Sequence, residues 1–248
     1  VKDRDRHVPS DMPYASDHAY SRSIKDFCCI TRSVGRIPGI FKSRNYEYLI
    51  KLIENATDFN GLQKKRNYTD FFALSALSWV DSTEKTMNTL PGGTVLRTSP
   101  PEKANDWDSS DFEKRVYLFN CHGIPNSDIW FGENLQRNKC NAIRKENVSD
   151  EIDQGSVIFS ECCYGGLLYN KFPYRNDDHG ICNEIMKNAI GFCGSTNTAY
   201  GTRKSQSNAD LLGGFFLNSV LEHQSLGNAL LKARMEFIAK EVLLKPVN

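Results

Sequence analysis

Three short stretches hold residues able to do chemistry: "FNCHG" (119–123), "SECCYGG" (160–166) and "FCGSTNTAYG" (192–201). Each closes an apolar run of strand character. Two of them set a reactive side chain directly against glycine, His122 before Gly123 and Cys163 just ahead of Gly165 and Gly166. An imidazole and a thiol at neighbouring strand ends can carry out acyl transfer, the sulfur attacking a carbonyl and the ring moving the proton. A packing cysteine needs no such arrangement, whereas a nucleophile offered to a substrate does. The N–H groups of Gly123 and Cys163 suit an oxyanion hole, because glycine leaves the first unobstructed. Side chains alternate along a strand, so Cys162 reads as a packed thiol behind Cys163, and Cys121 and Cys193 as core thiols. His122 alone is also readable as a core histidine; its pairing with Cys163 and the glycines favours chemistry.

The positioning elements follow from the pattern around these stretches. Apolar spacing predicts an amphipathic helix over 46–57 and a buried strand over 70–80. A helix over 81–90 is expected next, capped by Asp81 or Ser82, with Glu84 closing a capping box. Strands are expected at the start of "GTVLRTSPPEKANDWDSSD" before a polar loop, over 114–123, in "SVIFSECCYGG", and at the start of "IGFCGSTNTAYG" before another polar loop, with a polar helical stretch between the second and third of these. "ICNEIMKNA" reads as a short helix, and the chain from Asn208 onward as two helical segments that break near Ser225–Leu226. Short apolar strands alternating with helices predict a mostly parallel α/β sheet with helices on both faces. The chemical residues then gather at the carboxyl ends of the strands, where open parallel sheets bind ligands. The opening residues are loop-rich and the sheet begins abruptly, so upstream strands in a longer polypeptide are expected, with 1–58 closing an upstream α/β subdomain and 59–248 forming the catalytic one.

Composition narrows the partners. The 248 residues include 31 basic and 30 acidic ones, a formal charge of +1. This balance provides no electrostatic reason to expect nucleic acid or an anionic membrane. No apolar run approaches the roughly 20 residues of a membrane-spanning helix. Eight cysteines without a CxxC pair argue against a thiolate zinc site and lean towards a reducing compartment. His179, beside Asp177 and Asp178, is readable as a metal ligand or as part of a solvated loop. Asp17 and His18 in "ASDHAY" fit a turn or a structural cation site.

Apolar strand–His–Gly followed by apolar strand–Glu–small–Cys–x–x–Gly resembles the signature of the clan that holds caspases, legumains, separases and gingipains. "ECCYGG" is similar to the legumain-type "EACESG", with Cys163 in the nucleophile position. "YASDHAY", "RSVGRIPG", "HGIPNSDIW", "AIGFCGSTNTAYG" and "SLGNALLKARMEF" occur in the order of similar segments in the gingipains, and the resemblance covers nearly the whole chain. It implies a caspase-hemoglobinase-like fold and a cysteine endopeptidase acting on protein or peptide substrates. Cys163 would be the nucleophile and His122 the proton-transfer partner. The gingipain acids that support the histidine and select a basic P1 residue fall, by resemblance, near Asp81 and Glu84, although Asp81 also reads as a helix cap. Trp130 would lie near the histidine loop, and Ser195, Thr196 and Tyr200 would line the specificity pocket. No cofactor is required, a structural calcium has room, and a regulatory domain or activator is compatible with the family. The competing readings are a catalytically silent binding module on the same fold and a redox protein using the adjacent Cys162 and Cys163.

Overall fold

The computed structural model describes residues 9–19, 21–27, 29–40, 46–57, 68–125, 127–149, 151–168 and 180–240. Its centre is a five-stranded sheet formed by β1 (Asp70–Ala76), β2 (Gly93–Ser99), β3 (Val116–Asn120), β6 (Val157–Ser160) and β7 (Gly191–Gly194). The strands lie in the order β2-β1-β3-β6-β7 and every pairing is parallel. Strands β4 (Ile129–Glu133) and β5 (Lys139–Arg144) form a separate antiparallel hairpin. The helices are α1 (Met12–Ala15), α2 (Glu47–Thr57), α3 (Val80–Met87), α4 (Lys145–Val148), α5 (Ile181–Ile185), α6 (Ala209–Leu221) and α7 (Leu226–Ile238).

The two-residue period of a strand divides the core into two layers. Phe72, Leu74, Tyr117, Phe119 and Ile158 face one side, where they meet Trp130, Ala142 and Ile143 of the hairpin, Val148 of α4, and Ile181 and Ile185 of α5. Phe71, Ala73, Val116, Leu118, Val157 and Phe159 face the other, against Met87 of α3, Phe216, Leu217, Val220 and Leu221 of α6, and Ala229 and Ala233 of α7. Cover on both faces is why these strands are apolar throughout instead of alternating. Each large side chain buried this way contributes about 1.5–3 kcal/mol. Phe119→Ala would empty the centre of the first layer, at a cost of about 3–5 kcal/mol. Helix α2 joins the body through Asn55, whose Nδ2 donates to Lys187 O at 3.0 Å and whose Oδ1 accepts from Gln154 Nε2 at 3.2 Å.

The structure corrects two local expectations. Where a polar helix was expected after β3, the chain forms the β4–β5 hairpin and only the single turn α4. "IWFGE" and "KCNAIR" pair antiparallel with a register shift between Trp130 and Phe131, and their connection closes through Asn134, whose side chain accepts from Asn138 N at 2.8 Å. The strand expected to reach residue 80 ends at Ala76, and α3 begins at Val80 with Trp79 as N-cap and no side-chain cap. Asp81 and Ser82 therefore lie inside the first turn, where Asp81 suits the helix dipole without capping it. The expectation for His179, with Asp177 and Asp178, falls outside the described residues.

Candidate functional site

From β1 the chain moves outward to β2 and then returns to the other side of β1 to build β3. This reversal is a topological switch point, and in open parallel sheets the crevice at the carboxyl ends of the strands there is the usual ligand site. Trp79 follows β1, His122 follows β3 and Cys163 follows β6, so all three leave the sheet on that edge. The β3–β6 ladder pairs Phe119 with Ser160 and continues through Glu161 N donating to Phe119 O at 2.8 Å. The histidine and cysteine segments thus depart side by side. Gly123 lies so close to Cys163 that a Cβ there would sit 1.9 Å from the Cys163 carbonyl oxygen. Only glycine fits this approach.

Two backbone hydrogen bonds of 2.8 Å with Phe131 of the hairpin hold His122, and its ring packs edge-on against Trp79 with centroids 4.6 Å apart. Its Nε2 lies 3.1 Å from Glu133 Oε2, with the oxygen off the line of a well-formed hydrogen bond, so the contact is chiefly one of charge. The other oxygen of Glu133 accepts from Arg203 at 2.7 Å. Burial holds the imidazole below its ordinary pKa; Glu133 opposes this, while Lys139 and Arg203 add to it. Cys163 is half-buried, and its Sγ donates to Ala199 O at 3.7 Å. Burial pushes the thiol up, and backbone groups at Ala199, Gly123 and Cys163 itself partly offset the rise. The turn after the thiol is left-handed at Tyr164, with φ of 58°. Gly165 and Gly166 serve close packing instead, since a Cβ would lie 2.5 Å from Ser160 Oγ and 2.7 Å from Gly194 O, respectively.

Beside the thiol is a narrow recess lined by Trp79, Asn120, Glu161, Ala199, Tyr200 and Asp210. Glu161 and Asp210 are buried acids with no cation on them among the described residues, and Glu161 Oε1, Asp210 Oδ2 and Asn120 Oδ1 carry no aligned hydrogen bond. Burial, reinforced by the Asp210 carboxylate, pushes Glu161 well up; burial raises Asp210 as well, while Glu161 and Ser82 oppose the rise. The two acids lie close enough at the recess for each to bear on the other's titration.

His122, Gly123 and Cys163 come together at the sheet edge, although the imidazole and thiol make their polar contacts to other groups. Asp81 and Glu84 are exposed on α3, and the carboxylate on His122 is Glu133, not Asp81. Trp130 is 2% exposed and packs on Phe119 with ring centroids 5.1 Å apart, a core residue and not a binding one. Tyr200 lines the recess and is 41% exposed. Ser195 and Thr196 do not line it: Ser195 Oγ donates to Asn197 O at 3.0 Å, and Thr196 Oγ1 to Pro9 O at 2.6 Å. Cys162 is buried, with its sulfur on Phe119 O at 3.8 Å, so the adjacent thiols have separate partners. Sequence reasoning passed over Glu133, Arg203, Glu161 and Asp210. The available signal was an acid directly after an apolar run, as in "VIFSE". Among the described residues, no cluster of three or more His, Cys, Asp or Glu is arranged for a metal ion, and no helix is long and apolar enough to cross a membrane.

No protein-family model matches this chain, and no curated protein matches it either.

Proposed function

We propose that the chain is a cysteine endopeptidase of caspase-like fold that cleaves after a basic residue. The observation carrying this reading is the apposition of Gly123 and Cys163, which sets the histidine and thiol strand ends against each other beside an acid-floored recess. The Cys163 thiol gives its proton to His122 as Sγ bonds to the scissile carbonyl carbon. The oxyanion accepts from the N–H groups of Gly123 and Cys163. The C–N bond then breaks, His122 returns the proton to the leaving amine, and a thioester remains. Water attacks the thioester while giving a proton to His122, and Sγ leaves. An Arg or Lys side chain in the recess would supply the cation that Glu161 and Asp210 lack, the usual resolution of buried carboxylates. The recess is narrower than such a side chain, so the 199–202 wall must yield on binding.

The second reading is a catalytically silent binding module on the same fold. It is favoured by the resting contacts of Cys163 with Ala199 and of His122 with Glu133, which keep thiol and imidazole apart. Cleavage of a fluorogenic peptide library by the wild type, Cys163→Ala and Cys162→Ala separates the two. The peptidase reading expects cleavage after Arg or Lys that Cys163→Ala abolishes and Cys162→Ala retains. A wild type that cleaves nothing, and that loses peptide binding on Glu161→Gln, supports the binding module.

A further inference from the structure

The recess and the histidine share one loop. Residues 199–202 form a wall of the recess, and the next residue, Arg203, reaches Glu133 Oε1, while Glu133 Oε2 faces His122 Nε2. Glu133 is 7% exposed by its side chain and His122 is 17% exposed, so a largely buried carboxylate links the Arg203 guanidinium to the imidazole. The loop is itself braced. Thr202 Oγ1 donates to Ser205 O at 2.6 Å, Lys85 Nζ donates to Lys204 O, and Ala209 N donates to Tyr200 O at 3.1 Å. Glu133 is held at both ends of its side chain: its backbone closes β4 opposite Lys139, and its Oε1 accepts from the Arg203 guanidinium.

We infer that Arg203 is a positioning residue, holding the His122 imidazole in place through Glu133 and tying it to the loop that walls the recess. The inference deepens the peptidase proposal and rests on it for its functional meaning, but the relay itself can be read without any cleavage. Among the described residues, the charged groups that bear on the imidazole are Glu133 and Lys139 of the hairpin and Arg203 of the loop, and Trp79 packs against the ring. Arg203 engages half of the Glu133 carboxylate and places a cation near the ring. Both effects make the imidazole hold its proton less tightly. A loop displaced by a side chain entering the recess would release Glu133 to His122, so that filling the recess and protonating the histidine favour each other.

The test is the proton titration of His122, followed by NMR of its ring Cε1–H and assigned with His122→Gln. Arg203→Ala is expected to raise the midpoint by about 0.5–1 pH unit, the size of a lost neighbouring charge. Arg203→Lys, which keeps the charge but not the fork, is expected to return it to within about 0.3 unit of wild type. Glu133→Gln is expected to lower it. If Arg203→Ala does not fold, Arg203→Met, which retains the apolar stem, takes its place. A midpoint within about 0.2 unit of wild type in the Ala or Met variant, or a Lys variant no nearer to wild type than Ala, overturns the relay. Cleavage assays on the same variants keep the two proposals apart. A midpoint that moves as stated in a chain that cleaves nothing upholds the relay and removes the peptidase reading. Cleavage with an unmoved midpoint upholds the peptidase and removes the relay.

Discussion

Two buried acidic sites share the carboxyl edge of the sheet, and they are built in opposite ways. Glu133 is saturated, with Arg203 on one oxygen and His122 beside the other. Glu161 and Asp210 are starved: among the described residues they have no cation, and Glu161 Oε1 and Asp210 Oδ2 carry no aligned hydrogen bond, although Asp210 Oδ1 accepts from Asn120 Nδ2 at 3.4 Å. A carboxylate with its partners in place holds something still. A pair without a cation raises the energy of the empty state and is relieved by a cationic guest. On the proposed peptidase reading, the contrast separates the part of the site that orients from the part that selects.

The largest effect expected from breaking this contrast is on cleavage. Glu161→Gln combined with Asp210→Asn should lower kcat/KM for Arg and Lys substrates by at least about 100-fold, as the loss of a desolvated ionic contact does, while thermal unfolding shows no loss of stability. A double variant with full activity would place the selecting acid elsewhere. Next is Glu133→Gln. It should lower kcat by about 10-fold with little change in KM, as the loss of a group that orients a proton carrier does. It should also cost about 1 kcal/mol of stability, read as a fall in Tm of about 2–4 °C for a chain of this size. The cost stays small because Arg203 is 43% exposed and rehydrates when its partner goes.

The third effect is on stability against pH. Glu161 has a raised pKa in the fold, so the folded state binds more protons than the unfolded one above the unfolded value of about 4.3. Stability from this group is complete below that value and is lost as pH rises towards the folded pKa. Glu161→Gln should therefore gain Tm over wild type increasingly from pH 5 to pH 8, and a constant difference across that range would contradict the raised pKa of Glu161. The smallest effect is the mirror case. His122 has a lowered pKa in the fold, so its contribution is present above the unfolded value of about 6.5 and fades as pH falls through the folded one. His122→Gln should shallow the acid-side decline of Tm between about pH 6.5 and 5.

The sheet was readable because both of its faces are covered: "DFFALSA", "VYLFN" and "VIFS" are apolar throughout and end in turn residues. The histidine–thiol pair was readable for the same reason, since each follows such a run directly. The hairpin was not, because Asn, Lys and Arg dilute its alternation. With it went Glu133, and Trp130 was taken for a binding residue when the hairpin points it into the core. Glu161 and Asp210 meet across β6 and α6, and neither alone differs from a turn acid or a helix cap. Their meaning is in the pairing, which no local pattern announces. Asp81 was a natural choice because it opens the helix after β1, but an exposed first-turn acid is satisfied by the helix it starts.

The stem of the hairpin is clamped hard: at Gly132 a Cβ would come within 2.3 Å of Ser99 O, one residue from Glu133. Its tip is free, with Leu135 68% exposed. A short peptide tag spliced between Leu135 and Gln136 should leave the chain soluble and its histidine undisturbed, which makes the tip a practical handle for a fluorescent reporter or for immobilisation. The same tag placed one strand residue earlier would wedge the hairpin off the sheet. One short ribbon therefore offers the engineer both the safest and the least forgiving insertion point on this face of the molecule.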